Sequence, residues 1–196
     1  FATVATAWVA AAGPIAAPVG GRLIPAADLQ ADAALLRRAY ETLHPGLYRY
    51  RSTAEIDDAF TALNGELARD RTLAEASLAI GGLTTKVQCG HTYPNFFNQG
   101  EEVEQALLQR PRVPFEFRWL DRRMVVTRTY TDMPGLQRGT EVLAIDGQPV
   151  ARILDALLPY SRADGGNDSK RISNLEVQGY GRQKGQTEIY RGAEYT

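Results

Sequence analysis

Apolar side chains recur at helical spacing through the first half of the chain. Three segments carry this pattern: Leu29, Leu36, Tyr40 and Leu43; Ile56, Phe60, Leu63 and Leu67; Leu78, Ala79, Ile80 and Leu83. Such spacing is typical of helices that bury one face. Three short helices joined by short loops cannot bury these faces separately, so the pattern predicts a three-helix bundle over residues 25–98.

The ends of these helices carry recognisable signals. Ser52 with Glu55, and Thr72 with Glu75, have the spacing of a capping box, in which each side chain bonds the other residue's backbone N–H. For the first helix we expect Asp28 or Asp32 to supply the N-cap. The same helix should stop at His44-Pro45, and we expect His44 to serve the helix end rather than catalysis.

Beyond about residue 98 the apolar period changes from helical to alternating. Phe115, Phe117 and Trp119 alternate with Glu116, Arg118 and Leu120, which predicts a half-buried strand. Further strands at Met124–Tyr130 and Glu141–Ile145, an Asp146-Gly147 turn and a helix from Val150 to Leu158 should follow. The predicted fold class is therefore α+β, with a small β-rich domain over residues 99–160. Residues 161–196 are interpreted as a linker with helix caps and the start of a further region.

The first 24 residues form an apolar segment without charge until Arg22 and with prolines at positions 14 and 18. This composition resembles the apolar part of a secretory signal peptide, with Ala10-Ala11-Ala12 as one cleavage option. It is too short and interrupted to predict a stable membrane span. We therefore expect a periplasmic or extracellular protein in whose mature form the first 21 residues are removed or poorly packed.

Charge and cysteine content narrow the possible functions. The 22 basic and 23 acidic residues nearly cancel, so nucleic acid is not an expected partner. One cysteine argues against a disulfide framework or a Cys-based zinc site, and two widely spaced histidines against a His-based metal site. The expectation is that no metal or cofactor is needed. The oligomeric state is left open.

The short polar turn around His91 is the strongest candidate for chemistry. Gly90 permits a sharp or crowded backbone conformation before His91, and Pro94 stiffens the exit. A histidine held in this way could act as a general base, or could simply bond the local backbone. Cys89 is adjacent in sequence, but neighbouring residues rarely align a thiol with an imidazole, so we interpret Cys89 as packing.

Four stretches, in the same order, resemble the S41 serine peptidases, which comprise tail-specific, C-terminal-processing and tricorn-like proteases. They are Leu43-His44-Pro45-Gly46-Leu47-Tyr48, Cys89-Gly90-His91-Thr92-Tyr93, Trp119–Val126 and Gly139–Val150. The resemblance implies the N-terminal helical and PDZ-like parts of a serine endopeptidase, whose nucleophilic serine would lie in a later core domain outside this chain. It implies a peptide or protein substrate.

The resemblance also offers a role for His91. Tricorn-like members use a histidine at this position as the base for the serine, whereas processing proteases resemble a Ser/Lys dyad without histidine. His91 is therefore the candidate catalytic residue. The tricorn pattern has a serine where this chain has Gly90, so Thr92 or Tyr93 would have to orient the ring.

A PDZ-like domain implies peptide binding by strand addition, with backbone donors taking the terminal carboxylate. The stretch before the first strand lacks the expected glycine, and Pro111 and Pro114 remove donors. Arg110 and Arg112 are the candidate carboxylate-binding residues. Non-catalytic peptide binding, or a scaffold role, is the alternative to the peptidase.

Overall fold

The chain is of the α+β class, with five α-helices and small antiparallel sheets among the described residues. The structure, a computed structural model, describes residues 22–95, 100, 103, 113–130 and 132–176. The apolar segment 1–21 and the candidate residues Arg110 and Arg112 lie outside these residues. The chain divides into two compact units. Residues 22–95 with Arg162–Asp168 belong to the helical unit, and residues 113–161 with 169–176 belong to the β unit.

Three helices dominate the helical unit: α1 (Ala26–Leu43), α2 (Thr53–Glu66) and α3 (Leu73–Lys86). A short strand β1 (Leu23–Ile24) pairs antiparallel with β2 (Arg71–Thr72). Leu23 and Ile24 were assigned from sequence to the apolar N-terminal segment, yet their backbone pairs within this unit. The core contains mainly aliphatic side chains around one aromatic ring: Leu29, Ala33, Leu47, Ile56, Ala59, Phe60, Leu63, Leu67, Ala76, Leu83 and Val87.

Two side chains predicted to belong to the apolar stripes are exposed. Leu43 is 76% exposed and Leu78 is 41% exposed. Leu43 is the last residue of α1. Leu78 follows the buried Ala76 by two positions, which turns it by about 200° around the helix axis and away from the core.

Both predicted capping boxes are confirmed. Ser52 and Glu55 bond each other's backbone N–H at the start of α2, and Thr72 and Glu75 do so at the start of α3. The backbone N–H of Ser52, helped by hydrogen bonds from Arg51 and from the Ser52 hydroxyl, lowers the pKa of Glu55 to about 2. The Thr72 backbone and hydroxyl likewise lower the pKa of Glu75.

The predicted cap of α1 is wrong. The N-cap position belongs to Pro25, which makes no side-chain cap hydrogen bond; Asp28 lies within the first turn and Asp32 lies further inside the helix. The Ala26 N–H instead donates to Asp70 Oδ1 at 2.9 Å. A carboxylate 44 positions away thus takes the role that was assigned to a local side chain.

The β unit contains a three-stranded antiparallel sheet in the order β3 (Phe115–Leu120), β4 (Arg123–Thr129) and β5 (Glu141–Val142). The strands β3 and β4 form a two-residue hairpin, in which Asp121 and Arg122 both have positive φ, of 50° and 65°. This conformation matches the twist of paired strands, although the residues are not glycine.

The predicted strand from Glu141 to Ile145 is interrupted at Leu143. Its second half, β6 (Ala144–Ile145), pairs with β7 (Gln148–Pro149) in a separate two-stranded sheet. The Leu143 carbonyl accepts the Val150 N–H at 3.0 Å, which continues the register of β6 with β7 rather than that of β5 with β4. The predicted turn at Asp146-Gly147 is confirmed, and both residues have positive φ.

Two further helices complete the described elements. Helix α4 (Val150–Leu157) continues into a 3₁₀ turn (Leu158–Tyr160), and α5 spans Asp168–Asn174. The core of the β unit is built from the inner face of the hairpin, the apolar face of α4 and the residue that follows α5: Phe115, Phe117, Trp119, Met124, Val126, Val150, Ile153, Leu154, Leu157 and Leu175. None of the helices that the structure describes combines the length and apolar character needed to cross a membrane.

Candidate functional site

A tight turn directly after α3 positions His91. The helix ends at Lys86, and Gln88 adopts a left-handed conformation with φ of 56°, which redirects the chain. The Thr92 N–H then donates to the Cys89 carbonyl at 3.0 Å. This bond closes a four-residue turn with Gly90 and His91 at its two central positions. The imidazole of His91 is exposed, as a base acting on an external group requires.

The segment Arg162–Asp168 fixes this turn through backbone hydrogen bonds. The Gly90 N–H donates to Asp164 Oδ1 at 2.9 Å, and the Gly165 N–H donates to the Gln88 carbonyl at 2.9 Å. A Cβ atom at position 90 would lie 2.7 Å from Asp164 Oδ2, closer than real contacts allow. Gly90 is therefore suited to this position because Asp164 approaches its backbone closely. The interpretation of this segment as a linker did not anticipate these contacts.

Aromatic contacts add to the attachment of this segment. The guanidinium of Arg162 lies over the Tyr93 ring, 3.3 Å from its centroid. The Tyr50 ring packs against Gly165, where a Cβ atom would lie 3.3 Å from Tyr50 Cε1. Ala163 between them is 2% exposed. The segment is thus held by contacts on both sides of Asp164. These contacts also restrict where the Asp164 carboxylate can lie.

Three side chains with different chemistry meet at the turn. Cys89 Sγ, a ring nitrogen of His91 and a carboxylate oxygen of Asp164 all lie within 4.8 Å of one another. His91 and Asp164 are exposed, whereas Cys89 is half-buried against the helical core. We call these three residues the turn cluster. A carboxylate that accepts a hydrogen bond from an imidazole N–H can orient the ring.

The other histidine supports the turn without joining the cluster. His44 Nδ1 accepts the Gly46 N–H at 3.2 Å, which leaves the ring proton on Nε2. His44 Nε2 therefore donates to Thr92 Oγ1, 2.8 Å away. Thr92 is 8% exposed, so this bond satisfies a buried hydroxyl. His44 caps the C-terminus of α1, as expected, and its ring connects that helix end to the turn.

Tyr40 lies on the buried side of the turn. Its ring contacts that of His44, with the centroids 5.7 Å apart. Burial raises the pKa of Tyr40 to about 12, and the nearby Cys89 adds a repulsion between negative charges that acts in the same direction. The phenol therefore stays protonated at neutral pH, and Tyr40 is not a candidate anionic base.

The predicted site residues His91, Thr92 and Tyr93 lie in different surroundings. His91 is placed on an exposed turn, as anticipated. Thr92 is bonded to His44 and the Tyr93 ring lies against Arg162, so both side chains have other partners, whereas the Asp164 carboxylate lies within 4.8 Å of His91. Sequence reasoning missed the contact of Asp164 with this turn because Asp164 lies 74 positions after Gly90. The only signal in the sequence was the pair Gly165-Gly166 directly after Asp164, which indicates an unusual backbone conformation there.

The outer edge of strand β3 is the second candidate surface, because a PDZ-like domain would bind peptide along such an edge. The Trp119 N–H donates to Glu176 Oε1 at 3.1 Å, and the Trp119 indole N–H donates to the Leu175 carbonyl at 3.3 Å. The chain's own segment thus occupies the Trp119 end of this edge.

No protein-family model matches the chain, and no solved structure matches it. The geometry of the site and the resemblance of the sequence motifs are therefore the basis for assigning a function.

Proposed function

We propose that this chain is the N-terminal part of a secreted or periplasmic S41-type serine endopeptidase. In this proposal the helical unit is the family's N-terminal bundle, the β unit is its PDZ-like domain, and the serine nucleophile lies outside residues 1–196. The order of helices followed by a hairpin, short strands and a helix supports the assignment. The four sequence motifs provide the link to this particular family.

The observation that carries the proposal is the exposed His91 on a turn held by Asp164. A general base must reach its nucleophile in a fixed direction, and the Cys89–Thr92 and Gly90–Asp164 hydrogen bonds restrain the backbone that carries the ring. An exposed imidazole can meet a serine hydroxyl supplied from elsewhere. A ring buried in its own unit, as His44 partly is, could not do so.

The proposed chemistry follows from these positions. His91 accepts the serine hydroxyl proton as the serine oxygen attacks the peptide carbonyl, and returns that proton to the leaving amine. Asp164 holds the backbone of the turn through the Gly90 N–H, and its carboxylate lies within 4.8 Å of the imidazole, from where a side-chain rotation would let it accept the ring N–H and orient the ring. Gly90, which stands where the tricorn pattern has serine, admits this carboxylate because it lacks a Cβ atom.

The proposal is tested on the complete gene product, including any sequence that follows Thr196. We expect it to cleave internal bonds of an unfolded protein, and a fluorophosphonate probe to block cleavage by modifying one serine beyond residue 196. The adduct is located by peptide mass spectrometry. A serine within residues 1–196 as the modified site, or a protein with neither cleavage nor labelling, would contradict the proposal.

The peptide-binding alternative receives less support from the β unit. Strand addition needs free backbone donors and acceptors along an edge, and Glu176 already accepts the Trp119 N–H. A reading frame that stops at Thr196, together with binding of C-terminal peptides in a fluorescence titration, would favour this alternative over the peptidase.

A further inference from the structure

We propose that the turn cluster of Cys89, His91 and Asp164 is a binding site for a thiophilic divalent metal ion, with Zn²⁺ as the best fit. This inference does not rest on the proposed peptidase activity, but it uses the same His91. An imidazole bound to a metal ion cannot accept the serine proton, so the metal-bound state would be an inhibited state of the proposed enzyme. The inference reverses the expectation of no metal site. A single cysteine is sufficient when a histidine and a carboxylate complete the ligand set.

The chemical identity of the three groups favours zinc. Zinc sites combine thiolate sulfur, imidazole nitrogen and carboxylate oxygen, at about 2.0–2.3 Å from the ion. Calcium and magnesium require sets of oxygen ligands and have little affinity for sulfur. Three protein ligands would leave one tetrahedral position open for water or another ligand. A mixed set of this kind is typical of a reactive or exchangeable site rather than a closed structural one.

The distances require small movements of the side chains. Ligand atoms around a tetrahedral zinc lie roughly 3.5 Å apart, as the bond lengths imply. The three atoms of the turn cluster lie within 4.8 Å of one another. Because His91 and Asp164 are exposed, rotation about their side-chain bonds can shorten these separations without displacing core residues.

The backbone arrangement provides the preorganisation that exposed side chains lack. The hydrogen bond from the Thr92 N–H to the Cys89 carbonyl closes the turn. It thereby restrains the backbone that carries the sulfur and imidazole ligands. The Gly90 N–H bonds Asp164 Oδ1, so the carboxylate is oriented by a backbone donor while its second oxygen can coordinate an ion. Metal ligands are usually oriented by partners of this type, and their loss commonly costs about 10- to 100-fold in affinity.

The test uses cobalt(II) as a spectroscopic substitute for zinc. The untagged 196-residue chain, kept reduced with a phosphine and stripped of metal, is titrated with cobalt(II). We expect saturation at one ion per chain, a sulfur-to-cobalt charge-transfer band in the near ultraviolet, and visible bands of four-coordinate intensity. Added zinc should displace the cobalt, whereas calcium and magnesium should not.

Substitutions identify the ligands. Cys89→Ser should abolish the charge-transfer band, and His91→Ala should weaken cobalt binding at least about tenfold. Asp164→Asn keeps an oxygen acceptor for the Gly90 N–H but removes the charge, so it should also weaken binding about tenfold while the circular dichroism spectrum is retained. The matched control is Asp58→Asn, which removes an exposed carboxylate from α2.

The outcomes separate this inference from the proposed function. A cobalt complex without the charge-transfer band would contradict the metal site. So would a cobalt affinity that is the same in Asp164→Asn, Asp58→Asn and the wild type. Neither result bears on serine labelling or peptide cleavage. Conversely, a protein that binds cobalt as described but has no peptidase activity would retain the metal site and lose the peptidase.

Discussion

Asp164 in the helical unit and two glutamates in the β unit use their carboxylates in opposite ways. In the helical unit, Asp164 is exposed and lies beside a thiol and an imidazole, although it also accepts a backbone N–H. In the β unit, Glu116 and Glu176 are each 8% exposed and accept hydrogen bonds from the Tyr130 hydroxyl and the Trp119 N–H. The first arrangement leaves a charged group accessible to other molecules, whereas the second uses charged groups to complete the unit's own structure.

This difference separates a carboxylate that is accessible for the proposed chemistry from two carboxylates that stabilise the β unit. A buried carboxylate with a dedicated donor is expensive to disturb, because its partner then loses an acceptor. An exposed carboxylate can be removed at little cost to folding. Substitutions in the β unit should therefore reduce stability, and substitutions in the turn cluster should reduce function.

The largest effect on stability is expected from Phe117→Ala. Phe117 is 0% exposed and makes edge-to-face contacts with the rings of Phe115 and Trp119. Truncation of such a ring costs about 3–5 kcal/mol in the free energy of unfolding. Urea unfolding followed by tryptophan fluorescence measures this loss, since Trp119 lies in the same core. Leu120→Ala, at a side chain 49% exposed, is the control and should cost under about 0.5 kcal/mol.

A smaller loss is expected from Glu176→Ala. The substitution removes the acceptor of the buried Trp119 N–H, which costs about 1–3 kcal/mol. Asp164→Ala removes an exposed carboxylate and should cost less than Glu176→Ala in the same urea experiment. If both variants lose the same free energy of unfolding, buried and exposed carboxylates contribute equally to stability, and the contrast drawn above is wrong.

Gly90→Ala tests the close approach at the turn. The new methyl group would lie 2.7 Å from Asp164 Oδ2, so the carboxylate must move away. Loss of its bond to the Gly90 N–H should cost about 1 kcal/mol. Gly65→Ala in α2 is the matched control, because nothing lies within 4 Å of the added atom, and helix propensity should make it neutral or stabilising. Thermal unfolding measures the melting temperature of each variant. An equal decrease for Gly90→Ala and Gly65→Ala would argue against a specific contact at position 90.

The smallest effect concerns acid sensitivity of the helical unit. The pKa of Glu55 is about 2 in the folded state, below its ordinary value of 4.5. A lowered folded pKa contributes stability above about pH 4.5, and this contribution is lost as the pH falls towards 2. Glu55→Gln should therefore make the unfolding free energy less dependent on pH across this window. A Glu55 carboxyl resonance that titrates near 4.5 in NMR spectra would contradict the assigned capping interaction.

Local interactions were predictable from sequence, and distant ones were not. The capping boxes at Ser52 and Thr72 and the turn at Asp146 depend on residues within three positions of each other, so their spacing is visible in the sequence. The cap of α1 depends on Asp70, which lies 44 positions from its partner. Local propensity predicted Asp28 or Asp32 there, because nothing near the helix start indicates the distant carboxylate.

Distant interactions also explain what sequence reasoning missed in strand β3 and in the turn cluster. Glu116 was expected on the exposed face of its strand, but the register shifts between Glu116 and Phe117, and the Tyr130 hydroxyl donates to its carboxylate. His91 could be chosen from its turn alone, since Gly90 and Pro94 are adjacent signals. Asp164 joins it through the tertiary fold and could be recognised only from the structure.

Peptide hydrolysis by the complete gene product carrying His91→Ala is the most direct test of the catalytic role proposed for this histidine. General bases contribute about 10²- to 10⁴-fold to turnover, so we expect kcat to fall within that range while the urea midpoint stays that of the wild type. His44→Gln, at the buried side of the same turn, should reduce kcat less and stability more. Full turnover in the His91→Ala enzyme would contradict the central claim and indicate a Ser/Lys site that does not need this histidine.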